Sequence, residues 1–149
     1  MDIKKTANFF INFATKRLAE ISGIILFFLG LGLFIALFTY SPEDPNFIFP
    51  DNIEIKNFFG IKGSFVSDLF FQSVGLIAYL ISLTFIITGI NLLKSKEFIL
   101  IIENIFFTVL YCIFGTLFLT HYYSDAFTFY INGNGGFIGN FFNQTYLNK

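Results

Sequence analysis

Apolar positions in this chain fall in long unbroken runs and not in alternation with polar ones. Three runs reach the ~20 residues that a bilayer core ~30 Å thick requires. The first, 21–40, holds no charged residue, and the second, 73–93, is equally uncharged, with Gln72 at its edge and Asn91 near its end. The third, 98–120, carries Glu103 and Asn104 close to its beginning, about 8 Å along a helix axis. Each run predicts a transmembrane helix. The 21–40 run is too long for a signal-peptide core, and Tyr40-Ser41-Pro42 offers no small-x-small cleavage pattern, so it reads as a retained span.

Ahead of the first run, Ile3, Phe10, Phe13, Ala14, Leu18 and Ile21 recur at helical intervals opposite Lys4, Asn12, Lys16 and Glu20. This predicts a cytoplasmic amphipathic segment over 1–20, lying along the inner surface, where each Lys or Arg contributes about 1 kcal/mol of attraction to anionic lipid. The expected fold class is an all-α membrane protein of antiparallel transmembrane helices, with three clear spans, an incomplete fourth and an N-terminal interfacial helix. Residues 21–149 form the transmembrane anchor domain.

Composition agrees. Of 149 residues, 55% are hydrophobic and 13% charged, mean hydropathy is +0.71, and 25 are Phe, whereas soluble domains carry ~25% charged residues. A net charge of −1 removes the basic footprint of nucleic-acid binding. Cys112 is the single cysteine and forms no internal disulfide. Lys4, Lys5, Lys16 and Arg17 precede the first span, and Lys94 and Lys96 lie between the second and third. The positive-inside rule therefore puts the N-terminus and the 94–97 turn in the cytoplasm and both longer connections outside.

The connections carry a repeat. Pro42 and Pro45 stop the first helix and stiffen its exit. Further on, Gly60-x-x-Gly63 followed by Phe65-Val66 aligns with Gly136-x-x-Gly139 followed by Phe141-Phe142. The chain reads as a hairpin used twice, the glycines serving helix packing or turns. On that logic a fourth span starts near 138, and the chain is expected to be truncated before or within it. In the first span, Gly32 with Ala36, and Gly23 with Gly30, are small-residue pairs able to seat a neighbouring helix. Glu103 is a candidate relay carboxylate, and His121 beside Tyr122 and Tyr123 belongs to an interfacial aromatic belt. No Gly-Lys pair exists to cradle phosphate, and no second His or Cys stands by His121 to hold a metal. Catalytic, cofactor-binding and metal-ligating residues are therefore expected to be none.

Taken in order, Lys16-Arg17-Leu18-Ala19-Glu20, Tyr40-Ser41-Pro42-Glu43-Asp44-Pro45, Asn57-x-x-Gly60-x-x-Gly63 with Asp68, and Gly135-Gly136-x-x-Gly139 resemble the N-terminal four-span membrane region of FtsK-type (FtsK/SpoIIIE) bacterial DNA translocases. The likeness runs from about residue 16 to residue 142. It makes Ser41, Pro42, Asp44, Pro45, Asn57 and Asp68 the family-motif loop residues. It implies an inner-membrane anchor and septum-targeting module, acting in cell division and chromosome segregation. In that family a linker and an ATP-driven hexameric motor follow the anchor, so ATP and Mg belong to the motor and no nucleic-acid contact falls to this segment. Implied partners are the lipid bilayer, further copies of the chain and division-site membrane proteins. The competing expectation is a small standalone membrane protein, such as a transporter accessory subunit, in which Glu103 has a transport role.

Overall fold

The computed structural model describes residues 3–45, 54–123 and 132–147. All its regular elements are helical: α1 (Ile3–Phe38), α2 (Gly60–Val74), a 3-10 turn (Gly75–Ile77), α3 (Ala78–Ser95), α4 (Ile99–Tyr122) and α5 (Gly136–Phe142), which runs into a π-turn (Asn143–Leu147). Among the described residues three stretches are long and apolar enough to cross a membrane: Asn8–Phe38, Gly60–Ser95 and Ile99–Tyr122.

The N-terminal region departs from expectation. No break separates an interfacial helix from the first span: α1 is one helix of 36 residues, about 54 Å long at 1.5 Å per residue. The charges that suggested a boundary are accommodated within it. Arg17 pairs with Glu20 one turn on and lies over the Phe13 ring, and the Thr15 hydroxyl donates back to the Ile11 and Asn12 carbonyls. No Pro or Gly occurs before Gly23 to interrupt the ladder.

The second span also differs. Helix α2 ends at Gly75, whose φ of 60° and ψ of −141° take the chain out of helical geometry, and α3 begins at Ala78. The apolar run 73–93 thus contains a break that hydropathy does not register, because glycine is common in membrane helices.

Helices α1 and α3 pair antiparallel through glycines. A Cβ on Gly23 would stand 2.9 Å from the Gly89 carbonyl oxygen, one on Gly30 would stand 2.7 Å from the Ile86 nitrogen, and one on Gly89 would stand 2.6 Å from the Phe27 nitrogen. Lipid tails are as apolar as leucine, so such backbone approach, not hydrophobic burial, holds spans together. Gly32, by contrast, faces open space. The turn to α4 is closed by Lys96, left-handed at φ 59°, whose N–H donates to the Leu92 carbonyl. Helix α4 meets α3 through two polar links, Asn104 Nδ2 to Thr88 Oγ1 at 2.8 Å and Thr84 Oγ1 with Tyr111 OH at 2.9 Å. The apolar core of Leu33, Leu37, Phe71, Val74, Ile77, Ala78 and Ile81 sits at one end of the bundle, where α1 ends and α3 begins.

Candidate functional site: a polar hub at the loop end of the bundle

The final turn of a helix leaves backbone carbonyls without intrahelical donors. In α1 they are capped from three directions. The Ile35 carbonyl accepts from the Thr39 N–H and hydroxyl, the Ala36 carbonyl from Asn57 Nδ2 at 2.9 Å, and the Leu37 carbonyl from the Tyr79 hydroxyl at 3.2 Å. Asn57 is placed for this by Asp44, 1% exposed, whose two carboxylate oxygens accept the N–H groups of Lys56 and Asn57 at 2.8 Å each. A buried carboxylate needs such donors. Ser41 starts the turn that delivers Asp44: its carbonyl accepts the Asp44 N–H, and its hydroxyl the Glu43 N–H. Pro45, also buried, offers its carbonyl to Ser64 Oγ at 2.7 Å, while Pro42 is exposed at the surface of the turn.

Helix α2 is built inside out. Its buried stripe, Gly63, Ser64, Ser67, Asp68 and Phe71, is largely small or polar, and its exposed positions include Ile61, Val66 and Leu69. That arrangement suits a helix whose outer face meets lipid and whose inner face meets folded-back loops. On the inner face Asp68, 3% exposed, accepts from the Tyr40 hydroxyl at 3.1 Å and from Gln72. Gln72 in turn joins the second connection: Asn132 Nδ2 donates to its side-chain and backbone oxygens, and the Asn132 carbonyl accepts from Asn140 of α5 at 2.8 Å.

The two glycine motifs occupy corresponding places. Gly60 and Gly136 are the first residues of α2 and α5, with φ of 62° and 64°, and each N–H donates to the carbonyl three residues back, Asn57 or Gly133. A side chain is strained at such φ values. Gly63 presses on the Asn57 side chain and Phe59 Cβ, while Gly139 presses on the Thr120 hydroxyl and the Thr116 carbonyl of α4. The two repeats meet where a Cβ on Gly136 would stand 2.6 Å from the Gly75 nitrogen, and the Leu76 N–H donates to the Asn134 carbonyl there. The fourth element thus starts as a helix at Gly136, two residues before the expected position.

Ser41, Pro42, Asp44, Pro45, Asn57 and Asp68 stand out in the sequence as motif residues, whereas Tyr40, Ser67, Gln72, Gly75, Asn132 and Asn134 emerge as members of the hub only in the structure. Of these, Ser67 was findable, since Gly63, Ser67 and Phe71 share a four-residue spacing with Ser64 and Asp68 beside them. Exposed Glu43 and Lys56 form an ion pair above the hub. The Lys56 ammonium, hydrogen-bonded to Glu43, holds that carboxyl below its ordinary range, and Glu43 raises Lys56 in return. At the other end of the bundle, Lys96 reaches Glu20 and thereby joins the 94–97 turn to α1.

The remaining candidates stand apart. Glu103 is exposed on α4, His121 lies edge-on to Tyr122, and Cys112 is a half-buried free thiol. Among the described residues no group of three His, Cys, Asp or Glu side chains is placed to hold a metal.

Long apolar helices whose polar groups are gathered inward at one end define a multi-pass helical membrane module. The chain belongs to the family described as the 4TM region of DNA translocase FtsK/SpoIIIE, whose model matches residues 15–148, and it is accordingly a multi-pass protein of the bacterial inner membrane. It is similar to the DNA translocase FtsK of Azospirillum brasilense, 34% identical over 87 residues covering 57% of this chain and 14% of that protein. It is also similar to those of Rickettsia typhi, 33% identical over 72 residues (48% and 10%), and Rickettsia bellii, 32% identical over 78 residues (52% and 10%). The matched region thus spans a small fraction of these curated relatives. No solved structure matches the chain.

Proposed function

We propose that this chain is the membrane anchor of a DNA translocase acting in cell division and chromosome segregation, and that it targets the septum through its loop end. The observation that carries the proposal is the convergence of the motif residues Asp44, Asn57, Asp68 and Gly63 on one buried hub within a chain of the FtsK/SpoIIIE membrane family. Such a hub suits a device held under tension. A motor joined beyond α5, as in the family, would pull on Gly139 against Thr116 and Thr120, and through Asn140, Asn132 and Gln72 on α2. The anchor binds neither ATP nor Mg and does no chemistry of its own. Its N-terminus is cytoplasmic; the Lys96 to Glu20 pair supports this by joining two basic segments at one end of the bundle. Further copies and division-site membrane proteins are its partners.

A fluorescently tagged copy in a dividing bacterium is expected to collect at midcell, and its overproduction to disturb septation. Even distribution around the membrane with normal division would refute the assignment. Purified chain is expected to show no ATP hydrolysis.

A further inference from the structure

An apolar groove of about 480 Å³ runs between the loop-end half of α1 and one side of α2. Gly32 and Ala36 of α1 and Gly63 of α2 are among its small lining residues, Phe28 and Phe59 among its bulky ones, and Lys62 is its one charged lining residue.

Gly32 is the informative residue. Its φ is not positive, and a Cβ there would meet nothing within 4 Å, unlike Gly23, Gly30 and Gly89, which press on opposing backbone. Glycine inside a helix destabilises it relative to alanine, and nothing in the described chain requires it at this position. What it provides is depth in the groove. From Phe28 to Ala36 the groove follows α1 for about 12 Å at 1.5 Å per residue, close to the ~15 Å of one leaflet's hydrocarbon. Lys62 stands in the first turn of α2, beside Gly60, whose N–H donates to the Asn57 carbonyl of the loop. It is exposed and makes no ion pair among the described residues, while Glu43 is engaged by Lys56, and Asp44 and Asp68 by hub donors.

We propose that the groove binds one acyl chain of a phospholipid whose phosphate is held by Lys62. An apolar slot nearly as long as one leaflet, with a single lysine among its lining residues, complements a lipid, which is apolar along its length and anionic at its head. A helix suits it less well, because close backbone contact through Gly32 and Ala36 would have to pass the Phe28 and Phe59 rings, which are 64% and 46% exposed.

The test uses the whole chain, delipidated in detergent and titrated with phosphatidylglycerol while native mass spectrometry counts bound lipid. One lipid is expected to bind tightly. Gly32→Leu fills open space, so it should melt no lower than the parent yet bind about tenfold or more weakly. Lys62→Gln leaves the groove open and should weaken binding several-fold. Unchanged binding by both variants would overturn the proposal. So would a parent chain that is dimeric and becomes monomeric with Gly32→Leu, which would assign the groove to a second copy. Neither result bears on midcell localisation, so this proposal and the anchor assignment fail separately.

Discussion

Asn57 Nδ2 donates to the carbonyl oxygen of Ala36 at 2.9 Å, so a loop residue 21 positions along the chain caps the end of the first span. The side chain is fixed on both sides of that bond. Its own backbone N–H is held by Asp44, and its Oδ1 accepts the Phe59 N–H. Loop geometry and helix termination are thus one structural problem with one solution.

Asp44→Ala removes the acceptor of two backbone N–H groups in a buried site. Unsatisfied buried donors cost about 1–3 kcal/mol each, and the Lys56 N–H is only partly buried, so the variant should lose roughly 2–4 kcal/mol in detergent unfolding. Asp44→Asn keeps one acceptor oxygen and should lie between it and the parent. A melting curve unchanged by Asp44→Ala would show that the hub does not bear load.

The glycines should separate by sign. Gly63→Ala drives a methyl into the Asn57 side chain and Phe59; Asn57 is locked by its hydrogen bonds, so a loss of about 1–3 kcal/mol is expected, as for overpacking. Gly32→Ala meets nothing and should gain about 0.5–1 kcal/mol from helix propensity. Thermal unfolding of the two variants side by side reads both.

The Glu43 and Lys56 pair is fully exposed and should matter little near neutral pH. Its sign is still defined. Glu43 titrates below its ordinary 4.5 in the folded chain, so its contribution is present above that value and is lost as pH falls through the lowered one. Lys56 titrates above its ordinary 10.5, so its contribution is present below that value and is lost as pH rises through the raised one. The melting difference between parent and Glu43→Gln should therefore stay small and constant from about pH 6 to 9 and vanish in acid below the carboxylate's ordinary range. Added salt should shrink it.

Orientation is open to direct labelling. In a Cys112→Ser background, Glu43→Cys should react with an impermeant thiol reagent on intact cells and Ser95→Cys should not, because the Lys and Arg residues gather at the Ser95 end. Both positions are exposed, so access alone decides the result. Labelling of Ser95→Cys from outside would invert the topology.

Hydropathy locates the spans because a bilayer imposes a length on apolar runs, and the likeness of the two glycine motifs is visible in their spacing. Two features escape it. Lys16, Arg17 and Glu20 look like a helix boundary, yet Arg17 to Glu20 and Lys96 to Glu20 pairing lets α1 run straight through. The break at Gly75 depends on a backbone, that of Asn134, which approaches from 59 residues further along. The hub follows the same division: Asp44 and Asn57 lie 13 positions apart in one connection and stand out as motif residues, whereas the Gln72 to Asn132 bonds span 60 positions and leave no local signature.

Because α1 has no joint between Ile3 and Phe38, it acts as a lever. A bilayer core takes up only ~30 Å of its ~54 Å, and the rest projects as a rigid arm. Turning α1 by about 10° about its capped end at the hub would sweep the far tip through roughly 9 Å. A force applied at the hub would then reach the far tip through the helix itself, with no signal needing to pass through the lipid.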